Sequence, residues 1–295
     1  MRLSSLFRFL FLSMFPFVFP FVAALPAGVP FAGVPFVGVP FGGVPCGGAE
    51  CVAASCAAAP PSDQERSAWL EQLATADRAA DDKQVDQIAT QWVTQEPTAA
   101  EPFYWRGRSR FRQGDIAGSV KDFDRYVELA PRREPSQWER GITLYYAGEY
   151  ARGAKQFELY QTFDNRDVEN SVWRYLCLAR DQGVDKARAT MLPIEGDRRV
   201  PMMTIYELYR GKKTPDDVLA DARAGNPAPD ILAGRLFYAH LYLGLYYEAE
   251  GNQTNAHKHI NLAADKSLRT KPGVNSYMWA VADVHAKRLK QPSKK

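Results

Sequence analysis

The side chains in this sequence that could do chemistry are few, and their spacing argues against catalysis. The histidines are His240, His257, His259 and His285. His257 and His259 lie two apart, so on a helix they point in different directions and cannot grip one metal as an i, i+4 pair would. The region after Ser62 contains no H-E-x-x-H, no G-x-S-x-G, no phosphate-binding glycine loop and no G-x-G-x-x-G. The acidic doublets Asp81-Asp82 and Asp216-Asp217 fall between helical segments, where carboxylates favour the N-terminal end of the helix dipole. That is a capping role, not a catalytic pair. The sequence therefore predicts a protein without catalytic residues, metal or other cofactor. A hydrolase is the enzymatic alternative.

The cysteines need a separate argument. Cys46, Cys51 and Cys56 are evenly spaced and hold the last slot of successive pentads, GGVPC, GGAEC and VAASC. Phe31, Phe36 and Phe41 hold the same slot in the preceding pentads, so expansion of a repeat explains the spacing. With no C-x-x-C pair, metal-ligand geometry is not implied. Ala53-Ala54-Ser55-Cys56 resembles a lipobox, the small-residue tetrad ending in a cysteine that bacterial lipoproteins cut and acylate. That resemblance implies a lipid anchor on Cys56, with Cys177 left as a buried thiol. The other reading is signal cleavage near Ala24, which leaves all four cysteines and allows disulfides.

The segments that would position these residues divide the chain in two. Arg2 and Arg8 flank the start of an apolar stretch from Phe9 to Ala24, the layout of an export signal over residues 1–24. Pro16 and Pro20 interrupt this stretch, which is shorter than the ~20 residues a bilayer crossing needs. Residues 25–62 form a Gly/Val/Pro/Phe pentad tract without helix or strand period, read as a low-complexity tether. A net charge of +3 is too mild to suggest nucleic-acid binding. The basic tail from Lys287 to Lys295 reads as a solvated helix end rather than a lipid-binding patch.

From Asp63 onward the segments are rich in good helix formers and punctuated by Gly and Pro, which predicts an all-α fold over residues 63–295. Arg106-Gly107 recurs as Arg140-Gly141, 34 residues later. Gly114 recurs as Gly148, Phe123 as Phe157 and Tyr126 as Tyr160, at the same offset. This is the period of the tetratricopeptide repeat (TPR), a helix-turn-helix unit that stacks into a solenoid. Gly107 and Gly141 would let paired helices approach, Gly114 and Gly148 would turn the chain, and Phe123 and Phe157 would fill the space between hairpins. Pro131 would end one unit. The frame places repeats near 66–99, 100–133, 134–167 and 237–270, a degenerate helical stretch over 168–235, and a capping helix over 276–289. Trp69, Trp92 and Trp279 would fill the cores of end units or support a homodimer.

The stretch from about Glu101 to Leu289 resembles the NlpI-type TPR lipoproteins of bacteria. The resemblance rests on RGITLYYAGEYARGAKQF at 140–157, VWRYLCLAR at 172–180 and LYLGLYYEAEGNQTNAHKHINLA at 241–263. It implies an exported adaptor of the cell envelope, anchored to a membrane, that tends to dimerise and brings a cell-wall hydrolase to a processing protease.

In such an array the first helix of each unit lines the concave face. Frames set at Ala100 and Glu134 put Tyr104, Arg108, Phe111 and Arg112 there from one repeat, and Trp138, Ile142, Tyr145 and Tyr146 from the next. Aromatic and Arg side chains dominate binding hot spots, so these eight are the expected partner-binding residues. Packing within the array is the competing role for several of them. Self-assembly into a structural envelope component is the alternative function.

Overall fold

The computed structural model describes residues 61–291; the span read as an export signal, the pentad tract up to residue 60 and Cys56 lie outside the described residues. Among the described residues every regular element is helical. The order is α1 (Asp63–Arg78), α2 (Asp82–Gln95), α3 (Glu101–Gln113), α4 (Ile116–Leu129), α5 (Trp138–Tyr146), α6 (Tyr150–Tyr160) and α7 (Val168–Gln182). There follow α8 (Val184–Ala189), α9 (Met202–Tyr209), α10 (Pro215–Arg223), α11 (Pro229–Ala249), α12 (Gln253–Ala263) and α13 (Ser276–Leu289). A short 3₁₀ turn, Pro131–Ser136, separates α4 from α5, starting at the proline expected to end that unit.

Local chemistry sets the helix ends. Ser62 and Glu65 form a reciprocal capping box at the start of α1, and Thr214 with Asp217 does the same for α10. The Asp81 carboxylate accepts from the Gln84 backbone N–H at 3.0 Å to begin α2, so these acidic residues cap helices as their positions suggested.

Neighbouring helices then pair through the repeated glycines. A Cβ at Gly107 would stand 3.3 Å from the Phe123 ring, and one at Gly141 would collide with Phe157 at 2.6 Å. Gly244 meets Ile260 in the same way, again at 2.6 Å. Gly114 and Gly148 turn the chain at φ 85° and 80°, where a side chain would be strained.

A guanidinium series runs at the same period, and its third member lies in the stretch read as degenerate. Arg106 donates to Asp122, Arg140 to Asp124 and Gln156, and Arg174 to Glu158 and the Thr190 carbonyl. Each of these partners is 16 residues away. Helix α7 thus keeps the arginine of the unit while Tyr175 stands where the glycine would be.

One large core runs from Phe111 to Leu289, and a smaller one joins α1 to α2 around Leu73, Ile88 and Trp92. Trp69 packs on Trp92 inside the small core, at 5.2 Å between ring centroids. Trp279 is buried and donates to the Asp265 carbonyl, so all three tryptophans considered for a dimer contact have partners within this chain. Ion pairs help fasten the α1–α2 hairpin to α3: Arg112 reaches Asp77 and Asp82, and Arg110 reaches Asp86. Cys177 is a free thiol, fully buried beside Gly153, and burial pushes its pKa up.

One span differs from the sequence-based expectation. Helix α11 starts at Pro229, eight residues before the 237–270 frame, because a proline in its first turn allows an early start. Helix α13 occupies its expected span and packs on α12, but it does more than cap an end. It also lies against α3.

Candidate functional site

Helices α3 and α5 present the eight residues expected to line a concave face, and α13 lies on that face. The Tyr277 ring of α13 stacks on Phe111 at 5.2 Å and meets Trp138 edge-on at 5.3 Å. The Arg108 guanidinium sits over the same Tyr277 ring at 5.5 Å. One helical stretch further along α13, His285 Nδ1 is 2.9 Å from the Tyr146 hydroxyl, and Arg288 lies over the Tyr146 ring. The face expected to receive a partner is therefore filled in large part by this chain's own last helix. Aromatic rings favour such a cover, since burying each contributes on the order of 2 kcal/mol.

The eight residues consequently separate. Phe111, Ile142 and Tyr145 are buried in the core, where they serve packing. Tyr145 is boxed by Tyr146, Tyr150 and Trp173. Tyr104 donates to Glu139 at 2.9 Å beside Arg108, an internal arrangement as well. Arg112 is committed to Asp77 and Asp82. Trp138 and Tyr146 are partly buried, at opposite ends of α13's seat.

Two recesses flank that seat. At the Tyr146 end, a cleft of about 660 Å³ opens between the turn after α3, the turn after α5 and the last turn of α13. Arg112, Tyr146, Tyr150, Lys287 and Arg288 line it, and Arg288 Nη1 has no hydrogen-bond partner among the described residues. At the Trp138 end lies a cavity of about 200 Å³ among α5, α7, α11 and the start of α13.

Each end also carries a carboxylate centre that sequence reasoning missed. Near the cleft, Glu248 of α11 contacts Arg180 of α7 at 2.6 Å and His285 Nε2 at 3.2 Å, the latter without hydrogen-bond alignment. Burial pushes the Glu248 carboxyl up, but His285 and Arg180 together outweigh it and hold it down, at about 2. At the cavity, Arg199 is shared by Asp167 at 2.7 Å, Glu169 at 2.5 Å and Asp197 at 2.5 Å. Burial and the neighbouring Asp167 carboxylate push Glu169 up to about 7, despite Arg199 and the Tyr242 hydroxyl. The signal for this centre was present in the acidic pair Asp167 and Glu169 at the start of α7, but its arginine is 30 residues downstream of Glu169. His240 and His259 form a third unforeseen pair, Nδ1 to Nδ1 at 2.9 Å; burial and the neighbouring His259 push His240 down to about 4. No protein-family model matches the chain.

Proposed function

We propose that this chain is a non-enzymatic adaptor of the cell envelope, a TPR-type helical array held to a membrane by lipid on Cys56, that binds partner proteins at the open end of its concave face. The single observation that supports this most directly is the cleft of about 660 Å³ beside α13. Of the expected partner residues it keeps Tyr146, with Arg112 in its wall already paired to Asp77 and Asp82, and it adds Lys287 and Arg288 from α13. An aromatic wall with basic groups suits an extended partner segment that carries carboxylates, since guanidinium–carboxylate bonds are charge-assisted. The resemblance to NlpI-type lipoproteins suggests a cell-wall hydrolase and an envelope protease as the proteins brought together.

The test is a paired capture from envelope extract with the wild-type chain and an Arg288→Ser, Lys287→Ser double variant, read by mass spectrometry. Lys287 is exposed and Arg288 partly buried in the last turn of α13, and circular dichroism checks that the variant keeps its fold. A protein held by wild type and released by the variant supports the adaptor reading; identical retention by both removes the cleft from it. Self-assembly is the second reading, favoured by Phe163, a large apolar side chain left 63% exposed after α6. Light scattering across a dilution series separates it, because a persistent oligomer insensitive to Phe163→Ser would refute that contact.

A further inference from the structure

The cavity at the Trp138 end has features that packing alone does not explain. Its apolar lining includes Trp138, Ile142 and Met278, and its charged lining Asp167, Glu169 and Arg199. The volume of about 200 Å³ is well above what one water needs, so it admits a ligand of several heavy atoms. Asn170, 2% exposed, donates through Nδ2 to Gln161, yet its Oδ1 has no partner among the described residues. Trp173, 1% exposed, likewise has an Nε1–H without a partner among them. Both residues line the cavity. Buried polar groups are almost always hydrogen-bonded, so an orphan acceptor and an orphan donor around one space point to a ligand that satisfies both.

The charge of the site narrows the class. Asp167, Glu169 and Asp197 surround the single Arg199 guanidinium, which spends its donors on them. The acidic excess favours a cation, and four aromatic side chains of the lining, Trp138, Phe157, Trp173 and Tyr238, suit one as well. A carboxylate on the ligand would meet the same acidic excess and be repelled. A neutral oxygen can take the Trp173 N–H without that repulsion.

The geometry points to a binding site for a compact organic ammonium ion that carries an uncharged oxygen acceptor, its ammonium at Asp167, Glu169 and Asn170 Oδ1 and its oxygen at Trp173 Nε1. The hydrocarbon part rests against Trp138, Ile142 and Met278. This site shares no lining residue with the partner cleft, so it stands or falls independently of the adaptor reading.

The experiment is an NMR titration of the isotope-labelled full chain with leucinamide in its ammonium form. Isocaproamide, which keeps the shape and the amide but lacks the charge, is the control. The Trp173 indole N–H signal is assigned by its loss in Trp173→Phe. Leucinamide should move that signal saturably. Isocaproamide should bind about tenfold more weakly, as should leucinamide to Asp167→Asn, the loss expected for one favourable charge contact. Asn retains the ability to cap α7, as Asp167 does through the Glu169 N–H at 3.0 Å, so this variant should fold. If Asp167→Asn fails to fold, the two ligands on wild type still decide. A Trp173 signal that does not move saturably, or equal affinity for both ligands, overturns the proposal.

Discussion

Glu248 and Glu169 are the same residue type at similar burial, with side chains 8% and 13% exposed, yet they titrate in opposite directions. Glu248 has two neighbours able to carry positive charge, Arg180 and His285, and stays ionised down to about pH 2. Glu169 shares one guanidinium with two other carboxylates, and its carboxyl rises to about 7. Burial penalises both carboxylates; the ratio of partners to carboxylates decides which way each one goes. The first arrangement binds α7, α11 and α13 together, which is a structural task. The second leaves acidic capacity beside an open cavity, which is costly for folding and useful for holding a cation.

Breaking the structural centre should give the largest effect. Glu248→Ala leaves a buried histidine and a partly buried arginine without their carboxylate, and should cost about 3–5 kcal/mol in urea denaturation at pH 7. Because its folded-state pKa is depressed, Glu248 contributes stability that is present above its ordinary value of 4.5 and lost as pH falls toward 2. The gap between wild type and variant should accordingly shrink below pH 4.5. Next in size is Arg199→Gln, which removes the one cation from three carboxylates. With Arg199 46% exposed, about 2 kcal/mol is expected, and the loss should ease in acid as the carboxylates protonate.

The opposite sign is the sharper test. Glu169 has a raised folded-state pKa, so its contribution is fully present below 4.5 and is lost as pH rises through about 7. Glu169→Gln should therefore be more stable than wild type at pH 8, by about 1–2 kcal/mol at ~1.4 kcal/mol per pKa unit with part of the gain lost to weaker pairing. Near pH 5 the two should nearly converge. A Glu169→Gln variant less stable than wild type at pH 8 would erase the distinction between the centres.

The sequence made one side of this comparison far more legible than the other. Period-34 glycines located the close contacts at Phe123 and Phe157, and the span of α13 could be read from its apolar spacing. Following glycines, however, hid the next unit, because α7 retains Arg174 but has Tyr175 in the glycine position. Helical period also gives the inward face of α3 and α5 without saying what covers it. That Tyr277 would seat on Phe111 depends on the path of the whole intervening chain, so partner contact and internal packing looked alike in sequence. The Arg199 centre was hidden for a related reason. Its arginine lies in the irregular stretch before α9, where no period links it to Asp167 and Glu169.

The smallest expected effects come from the two tyrosines that touch these centres. Tyr242 is fully buried and donates to Glu169 at 2.5 Å, a bond that favours the ionised carboxyl. Tyr242→Phe should cost about 1 kcal/mol at pH 8 and less at pH 5, where the carboxyl is protonated in either case. The Glu169 carboxyl, followed by carbon NMR, should titrate higher in the variant. Tyr146 occupies a different position, bonded to His285 Nδ1 and not to the Glu248 carboxylate. Tyr146→Phe should therefore lower stability by a similar ~1 kcal/mol while leaving Glu248 ionised through the mildly acidic range, because Arg180 still faces it. A Glu248 titration that climbed as far as that of Glu169 would mean that the hydrogen-bond chain, not the count of cations, sets the difference between the two centres.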